Sequence, residues 1–335
     1  MQVTFYHRRP QEGEFSIERL FKDIRSALCS TIECNVAVSR FKSKGILRRV
    51  YNIVEAALWQ GDVNHITGDV HFLTYLLRKK KTLLIIHDLL SLERLKGLRR
   101  LVFFFFWYWL PVKRSAVVSV VSESTKKELL RYLKCDPNRI RVIHDCVSDD
   151  FKPCPKEFNT AKPIILVMRA EKRKNLSRVV EAVKEIPCHL RIIGELDHEQ
   201  LSLLRASAIE YSSVSNISDE QILKEYQQCD MLVFASTYEG FGLPILEAQA
   251  TGRPVVTSNI MSMPEVAGDA ACLVNPLDVS SIRKGIVGVI NDPLYRRELI
   301  ERGFENVQRF RPEKIANQYL DIYREIQRAN GTATL

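Results

Sequence analysis

Residues 231–258 read MLVFASTYEGFGLPILEAQATGRPVVTS, and their pattern sets the fold class. MLVFAS (231–236) has the length and apolar content of a buried strand. A glycine turn follows, with Gly240 and Gly242. Pro244 then stands where a first helical residue belongs, because its missing N–H costs nothing there. The helix runs to about Ala250, Gly252 terminates it, and PVVTS (254–258) is the next strand. Strand, helix and strand in this order indicate a parallel sheet covered by helices. Two carboxylates flank the turn: Glu239 before it and Glu247 in the second half of the helix. A helix start carries unpaired N–H groups and the positive end of a dipole, so it binds phosphate well. The two glycines let a ligand approach the backbone closely. Glu247 can accept hydrogen bonds from a ribose diol, as acids do in dinucleotide folds. Glu239 would face a cleft. The plainer alternative is that both acids only stabilise the helix start.

The same alternation runs along the chain. Expected strands in the first half are 3–6, 33–38, 63–67, 82–87, 116–121 and 140–144. In the second half they are 163–168, 190–194, 208–214, 231–236, 254–258 and 271–274. Amphipathic stretches such as SIERLFKDIRSAL (16–28) and NLSRVVEAVKEI (175–186) lie between them. Ser122 reads as the start of a capping box for a helix over 122–133. Residues 145–161 follow neither period and hold two prolines, so they read as a linker. The tail, from about 278 to 328, reads as two or three helices. The expected architecture is α/β, with two doubly wound Rossmann-like domains facing across a cleft. The domains are 1–150 and 151–335, and the last helix can cross back to the first.

Composition narrows the function. At 335 residues with 46% hydrophobic and 27% charged residues, the chain can build two full cores. The net charge of +9 fits nucleic acid, an anionic membrane or phosphate-bearing substrates. No nucleic-acid reader motif is present, so no nucleic-acid partner is expected. The eight cysteines form no CxxC pair and no zinc spacing, and they read as small buried hydrophobes. No signal peptide is read at the start, and the expected compartment is the reducing cytosol. LVFFFFWYWLPV (101–112) is too short to span a bilayer. It is either a buried helix or an interfacial segment, since Arg99, Arg100, Lys113 and Arg114 flank it. On the second reading Phe104, Phe105, Trp107 and Trp109 contact an anionic membrane at its cytoplasmic face.

VMRAEKRKNLSR (167–178) also joins a strand to a helix. Arg169 and Lys174 would stand at the cleft rim, able to neutralise a diphosphate. Basic residues at a strand end often only solvate a loop, but these neighbour the EGFGLP turn.

Residues 234–276, with RAEKRKNL (169–176), HITGDVHFL (65–73), IIHDL (85–89) and VVSESTKKEL (120–129), closely resemble retaining GT-B glycosyltransferases of family 4 (glycosyl transferases group 1). The resemblance implies transfer of a hexose from a nucleotide-diphosphate sugar to a lipid-linked or polysaccharide acceptor in cell-envelope glycan biosynthesis. It implies no cofactor and no metal. On it, Arg169 and Lys174 hold the diphosphate and stabilise the departing charge. Glu239 contacts the donor sugar, the backbone over Gly240, Phe241, Gly242 and Leu243 supports phosphate or sugar hydroxyls, and Glu247 holds the ribose. His87 contacts the transferred sugar, and Asp88 orients His87 or serves the acceptor. The chain departs from the pattern twice. The loop after the first strand offers only Gly13 for acceptor contacts, and HDCV (144–147) replaces the family's Asn-Gly-Val. A non-catalytic partner subunit and a nucleotide-sugar epimerase are the competing readings.

Overall fold

The computed structural model describes residues 1–10, 16–168 and 171–331. They fall into two compact units. One comprises Met1–Cys146 and the last helix, Pro312–Gly331; the other is Val147–Arg311.

The first unit holds strands β1 (Gln2–His7), β2 (Glu33–Val38), β3 (Val63–Ile66), β4 (Thr82–Ile86), β5 (Val117–Val120) and β6 (Ile140–Val142). All pair in parallel, in the order β2-β1-β3-β4-β5-β6. The second unit holds β7 (Ile164–Met168), β8 (His189–Ile193), β9 (Glu210–Val214), β10 (Met231–Phe234), β11 (Val255–Ser258) and β12 (Cys272–Val274). They too are parallel, in the order β12-β11-β10-β7-β8-β9. This is the doubly wound order in which the chain reverses direction between its first and fourth strands.

Every expected strand is present, most of them trimmed by one or two residues. Their sequences explain this. β3, β4, β5, β10 and β11 are buried throughout, as strands with helices on both faces must be. The edge strand β2 alternates between exposed and half-buried positions. The core of the second unit gathers Ile165, Leu190, Val233 and Val256 against Val179 and Ile286 of the covering helices.

Three expectations need correction. The first domain does not end at 150. The break falls after Cys146. The last helix does cross back, as the sequence allowed, and packs in the first unit, where Tyr319 and Tyr323 are buried. The stretch read as a linker, 145–161, is irregular and holds that break, but from Val147 onward it packs into the second unit. Val147 N–H donates to Phe310 O (3.0 Å), Cys154 N–H to Thr251 O (3.3 Å), and Phe151 packs edge-on against Tyr226. Ser122 does cap its helix, accepting from Thr125 N–H at 3.0 Å, but Thr125 stands where a capping box needs Glu or Gln. The reciprocal boxes lie at Asp197/Gln200 and Ser218/Gln221.

The aromatic run matches neither of its two readings whole. Gly97–Phe104 is α-helical, Phe105–Trp109 is a π turn, and Leu110–Lys113 continues as helix. The wider turn rotates Tyr108 inward, while Phe105, Phe106 and Trp109 stay exposed. Phe104 and Trp107 are half-buried and pack on the core. No described helix is long and apolar enough to cross a membrane.

Candidate functional site

In the second unit, β7 and β10 are neighbours at the reversal of strand order. Ligands bind at the carboxyl ends of strands at such a point. The loop after β7 turns through a short 3-10 segment, Lys172–Lys174, and then through Asn175 in a left-handed conformation (φ 64°). That conformation suits asparagine. Its amide donates to Ala235 O (3.0 Å) and Pro276 O (2.7 Å), tying the loops after β7, β10 and β12 together. Thr237 N–H donates to Arg173 O at 2.8 Å. The two loops are thus stitched by backbone as well as side chains.

They bring together two of the expected residues. Lys174 Nζ lies 2.6 Å from Glu239 Oε1, and both side chains are buried. The second carboxylate oxygen is taken by a residue the sequence reading passed over: Arg173 Nη1 donates to Glu239 Oε2 at 2.8 Å. Burial disfavours the Arg173 charge, but Glu239 and Glu171 outweigh it and raise its pKa. Lys174 also stands over the Phe234 ring at 4.7 Å, a favourable site for a cation. One buried anion between two cations leaves a net positive charge, suited to a further anionic ligand.

Glu239 leads directly into the glycine turn. Ser262 Oγ lies within hydrogen-bond distance of Glu239 O (3.0 Å) and Phe241 O (2.6 Å), fixing the turn from β11's side. Gly242 has φ +120°, and a Cβ there would approach Ile245 Cδ1 to 3.2 Å. The turn therefore requires glycine. The helix Leu243–Ala250 starts one residue earlier than expected, with Pro244 in its first turn. Glu247 is buried in it, and its Oε2 accepts from the Tyr226 hydroxyl at 2.8 Å. Tyr226 was not singled out from sequence. It fixes the rotamer of the acid expected to hold a ribose.

The first unit presents its own group at the end of β4. His87 Nε2 is 3.1 Å from Thr67 O, and Nδ1 is 3.8 Å from Asp145 Oδ1. Burial alone would lower the His87 pKa below its ordinary 6.5; the hydrogen bond and charge of Asp145, the Thr67 carbonyl and Asp88 together raise it instead. Asp88 does not orient the ring. Its carboxylate accepts from Leu90 N–H at 3.0 Å and starts a short helix. The orienting acid is Asp145, within the HDCV departure. Gly13 and Arg169 lie outside the described residues. Among the described residues no group of three His, Cys, Asp or Glu side chains is placed to hold a metal ion.

The family model for glycosyl transferases group 1 matches residues 148–306, and that for glycosyltransferase family 4 matches residues 40–151. The chain is 28% identical over 251 residues to the serotype-specific mannosyltransferase WbdA of Escherichia coli, covering 65% of this chain and 30% of that protein. It is 29% identical over 233 residues to the O-antigen chain mannosyltransferase B of Escherichia coli, covering 62% and 60%. It thus spans under a third of the first relative and three fifths of the second. Among solved structures, the sucrose-phosphate synthase of Thermosynechococcus elongatus superposes with a TM-score of 0.76 at 17% identity, over 98% of this chain and 99% of that one. WaaG, a glycosyltransferase involved in lipopolysaccharide biosynthesis, superposes with a TM-score of 0.73 at 14% identity, over 96% and 99%.

Proposed function

The chain belongs to the group 1, family 4 glycosyltransferases, of GT-B fold, and from that premise we propose that it is a retaining hexosyltransferase. It takes a hexose from a nucleoside-diphosphate sugar and passes it to a lipid-linked or polysaccharide acceptor in cell-envelope glycan synthesis. The observation that carries this reading is the buried Lys174–Glu239 pair with half-buried Arg173 at the β7/β10 switch, beside a glycine turn and a helix start. The named mannosyltransferase relatives support the envelope-glycan pathway.

In this mechanism Lys174 and Arg173 stabilise the charge that grows on the departing diphosphate, usually the largest single catalytic term. Arg169 would add a third charge to the same diphosphate. Glu239 offers the sugar hydroxyls a carboxylate whose position the two cations fix. The backbone over Gly240, Phe241, Gly242 and Leu243 supports phosphate, and Glu247, oriented by Tyr226, takes the ribose diol. His87 contacts the transferred sugar, and Gly13 and Asp88 serve the acceptor. The bond from the anomeric carbon to phosphate breaks as the acceptor oxygen adds on the same face, and the leaving phosphate takes the acceptor's proton. Neither metal nor cofactor enters these steps. The enzyme works at the cytoplasmic face of a membrane, held there peripherally by the exposed rings Phe105 and Trp109, with Phe104 and Trp107 anchoring the segment to the core.

The test is a thermal-shift series with UDP, GDP, ADP and TDP. One of the four should raise the melting temperature selectively. Saturation at a hundredfold over Kd corresponds to about 2.7 kcal/mol. A protein stabilised by none of them does not bind a nucleotide sugar, and the reading fails.

A further inference from the structure

Large apolar side chains are unevenly exposed. Of nineteen such residues exposed among the described ones, sixteen lie between Val36 and Trp109, and only Leu273, Leu277 and Leu294 belong to the second unit. A folded surface scatters such residues singly; a contiguous patch marks an interaction site.

The patch has two halves. The helix Ile46–Leu58 turns Asn52 and Ala56 inward and leaves Ile46, Leu47, Val50, Tyr51, Val54 and Leu58 outside. At 100° per residue these six span one continuous face, opposite the buried pair. Leu47 is 87% exposed and Leu58 79%. The second half is the aromatic helix, where Leu98, Leu101, Val102, Phe105 and Trp109 follow a helical stripe of their own. The halves are fastened together. The Arg49 guanidinium lies 4.9 Å from the centre of the Trp107 ring. The intervening 3-10 segment His71–Tyr75 binds the aromatic turn, with His71 Nδ1 2.8 Å from Trp107 O and the Tyr75 hydroxyl donating to Phe106 O.

Charge identifies the occupant. Residues 40–59 contain Arg40, Lys42, Lys44, Arg48 and Arg49 against a single acid, Glu55. Residues 94–114 contain Arg94, Lys96, Arg99, Arg100, Lys113 and Arg114 and no acid at all. Pairing this face with a second copy would set eleven cations against eleven cations, which like-charge repulsion opposes. An anionic bilayer satisfies both features at once: acyl chains receive the apolar stripe and headgroups the rim of Lys and Arg.

We propose that the helix Ile46–Leu58 and the aromatic helix form one docking face for an anionic lipid bilayer, with the first helix as an equal partner. This rests on the peripheral-membrane reading above and extends it to an element that reading does not include.

Flotation with vesicles tests it, using phosphatidylcholine alone and phosphatidylcholine with about a third phosphatidylglycerol. The wild-type chain should float with the anionic vesicles, stay behind with the neutral ones, and lose binding as salt rises. Leu47→Glu/Leu58→Glu should reduce the bound fraction about tenfold, as should Phe105→Ser/Trp109→Ser. All four positions are exposed, so circular dichroism should be unchanged. If only the aromatic variant detaches, the helix Ile46–Leu58 is not part of the face, although the peripheral reading stands. If the wild type ignores anionic vesicles, both fail. A wild-type dimer in sedimentation velocity that Leu47→Glu/Leu58→Glu converts to monomer would reassign the face to a second copy and overturn the proposal.

Discussion

Lys174→Ala is expected to lower sugar transfer by about 10²- to 10³-fold, the usual cost of removing one donor aimed at developing charge. The ammonium is buried and its position is fixed on one side by Glu239 at 2.6 Å and beneath by the Phe234 ring. It therefore meets the diphosphate already oriented, with little to reorganise. The interaction strengthens as the bond to phosphate breaks, so kcat and kcat/KM should fall together. Lys174→Arg should not rescue, because a planar fork cannot occupy the site of a compact point charge. A structural role must be separated from this. Removing Lys174 alone leaves Glu239 buried with Arg173 as its remaining described cation, which lowers stability. Adding Glu239→Gln should restore part of the urea midpoint without restoring transfer. Lys174→Ala protein that transfers at the wild-type rate would dismiss the site assignment.

Mild acid should destabilise the first unit at pH values where ordinary carboxylates remain ionised. Three of its histidines, His7, His65 and His71, are buried, and burial lowers the pKa of each. Burial first, and then the Arg25 charge, push His7 down to about 3 from 6.5. His65 lies well below 6.5, again chiefly through burial and then through the charges of His7, His87 and Arg25. His65 Nδ1 is engaged with the Tyr323 hydroxyl at 2.6 Å, and its buried Nε2 has no partner among the described residues. A proton there would be uncompensated. The sign follows from proton counts. Below 6.5 the unfolded chain binds protons that the folded chain refuses, so stability is full above 6.5 and declines as the pH falls. His7 costs about 1.4 kcal/mol per pH unit below 6.5, hence roughly 2 kcal/mol by pH 5, and His65 adds to the loss in the same direction. His87 works in the opposite sense. Its raised pKa contributes stability below 6.5 that is lost as pH rises through the folded value, so it stays constant over this window. All three tryptophans, Trp59, Trp107 and Trp109, lie in the first unit. Their fluorescence therefore follows that unit alone in urea. A midpoint that stays flat from pH 6.5 to 5 would contradict the account, and His7→Asn should flatten the wild-type slope.

The strands were legible because β-branched runs of four to six residues, bounded by turn formers, have few other uses. The glycine turn was legible because its residue types answer a local geometric demand, seen at Gly242. What stayed hidden depends on approach between distant segments. Arg173 is adjacent to Lys174 in sequence, yet its pairing with Glu239 follows only from the way the two loops cross. Asp88 beside His87 was the natural orienting acid by adjacency, but its carboxylate serves Leu90 N–H, and Asp145 arrives from the far end of β6. Tyr226 reaches Glu247 from another helix. The aromatic run was ambiguous because a π turn changes which rings face inward, and no periodicity of 3.6 foretells it.

The helix Pro312–Gly331 completes the first unit from the far side of the second in chain order. Tyr323 binds His65, and Tyr319 packs on Phe21. During synthesis the second unit emerges as one uninterrupted segment and can close its core at once. The first unit, although made earlier, waits for the ribosome to read through all of Val147–Arg311. At cellular rates that delay is on the order of ten seconds or more. Throughout it, Phe5, Phe21 and His65 lack their covering tyrosines. The half synthesised first is therefore the half that finishes folding last, and it is the one a chaperone would need to guard.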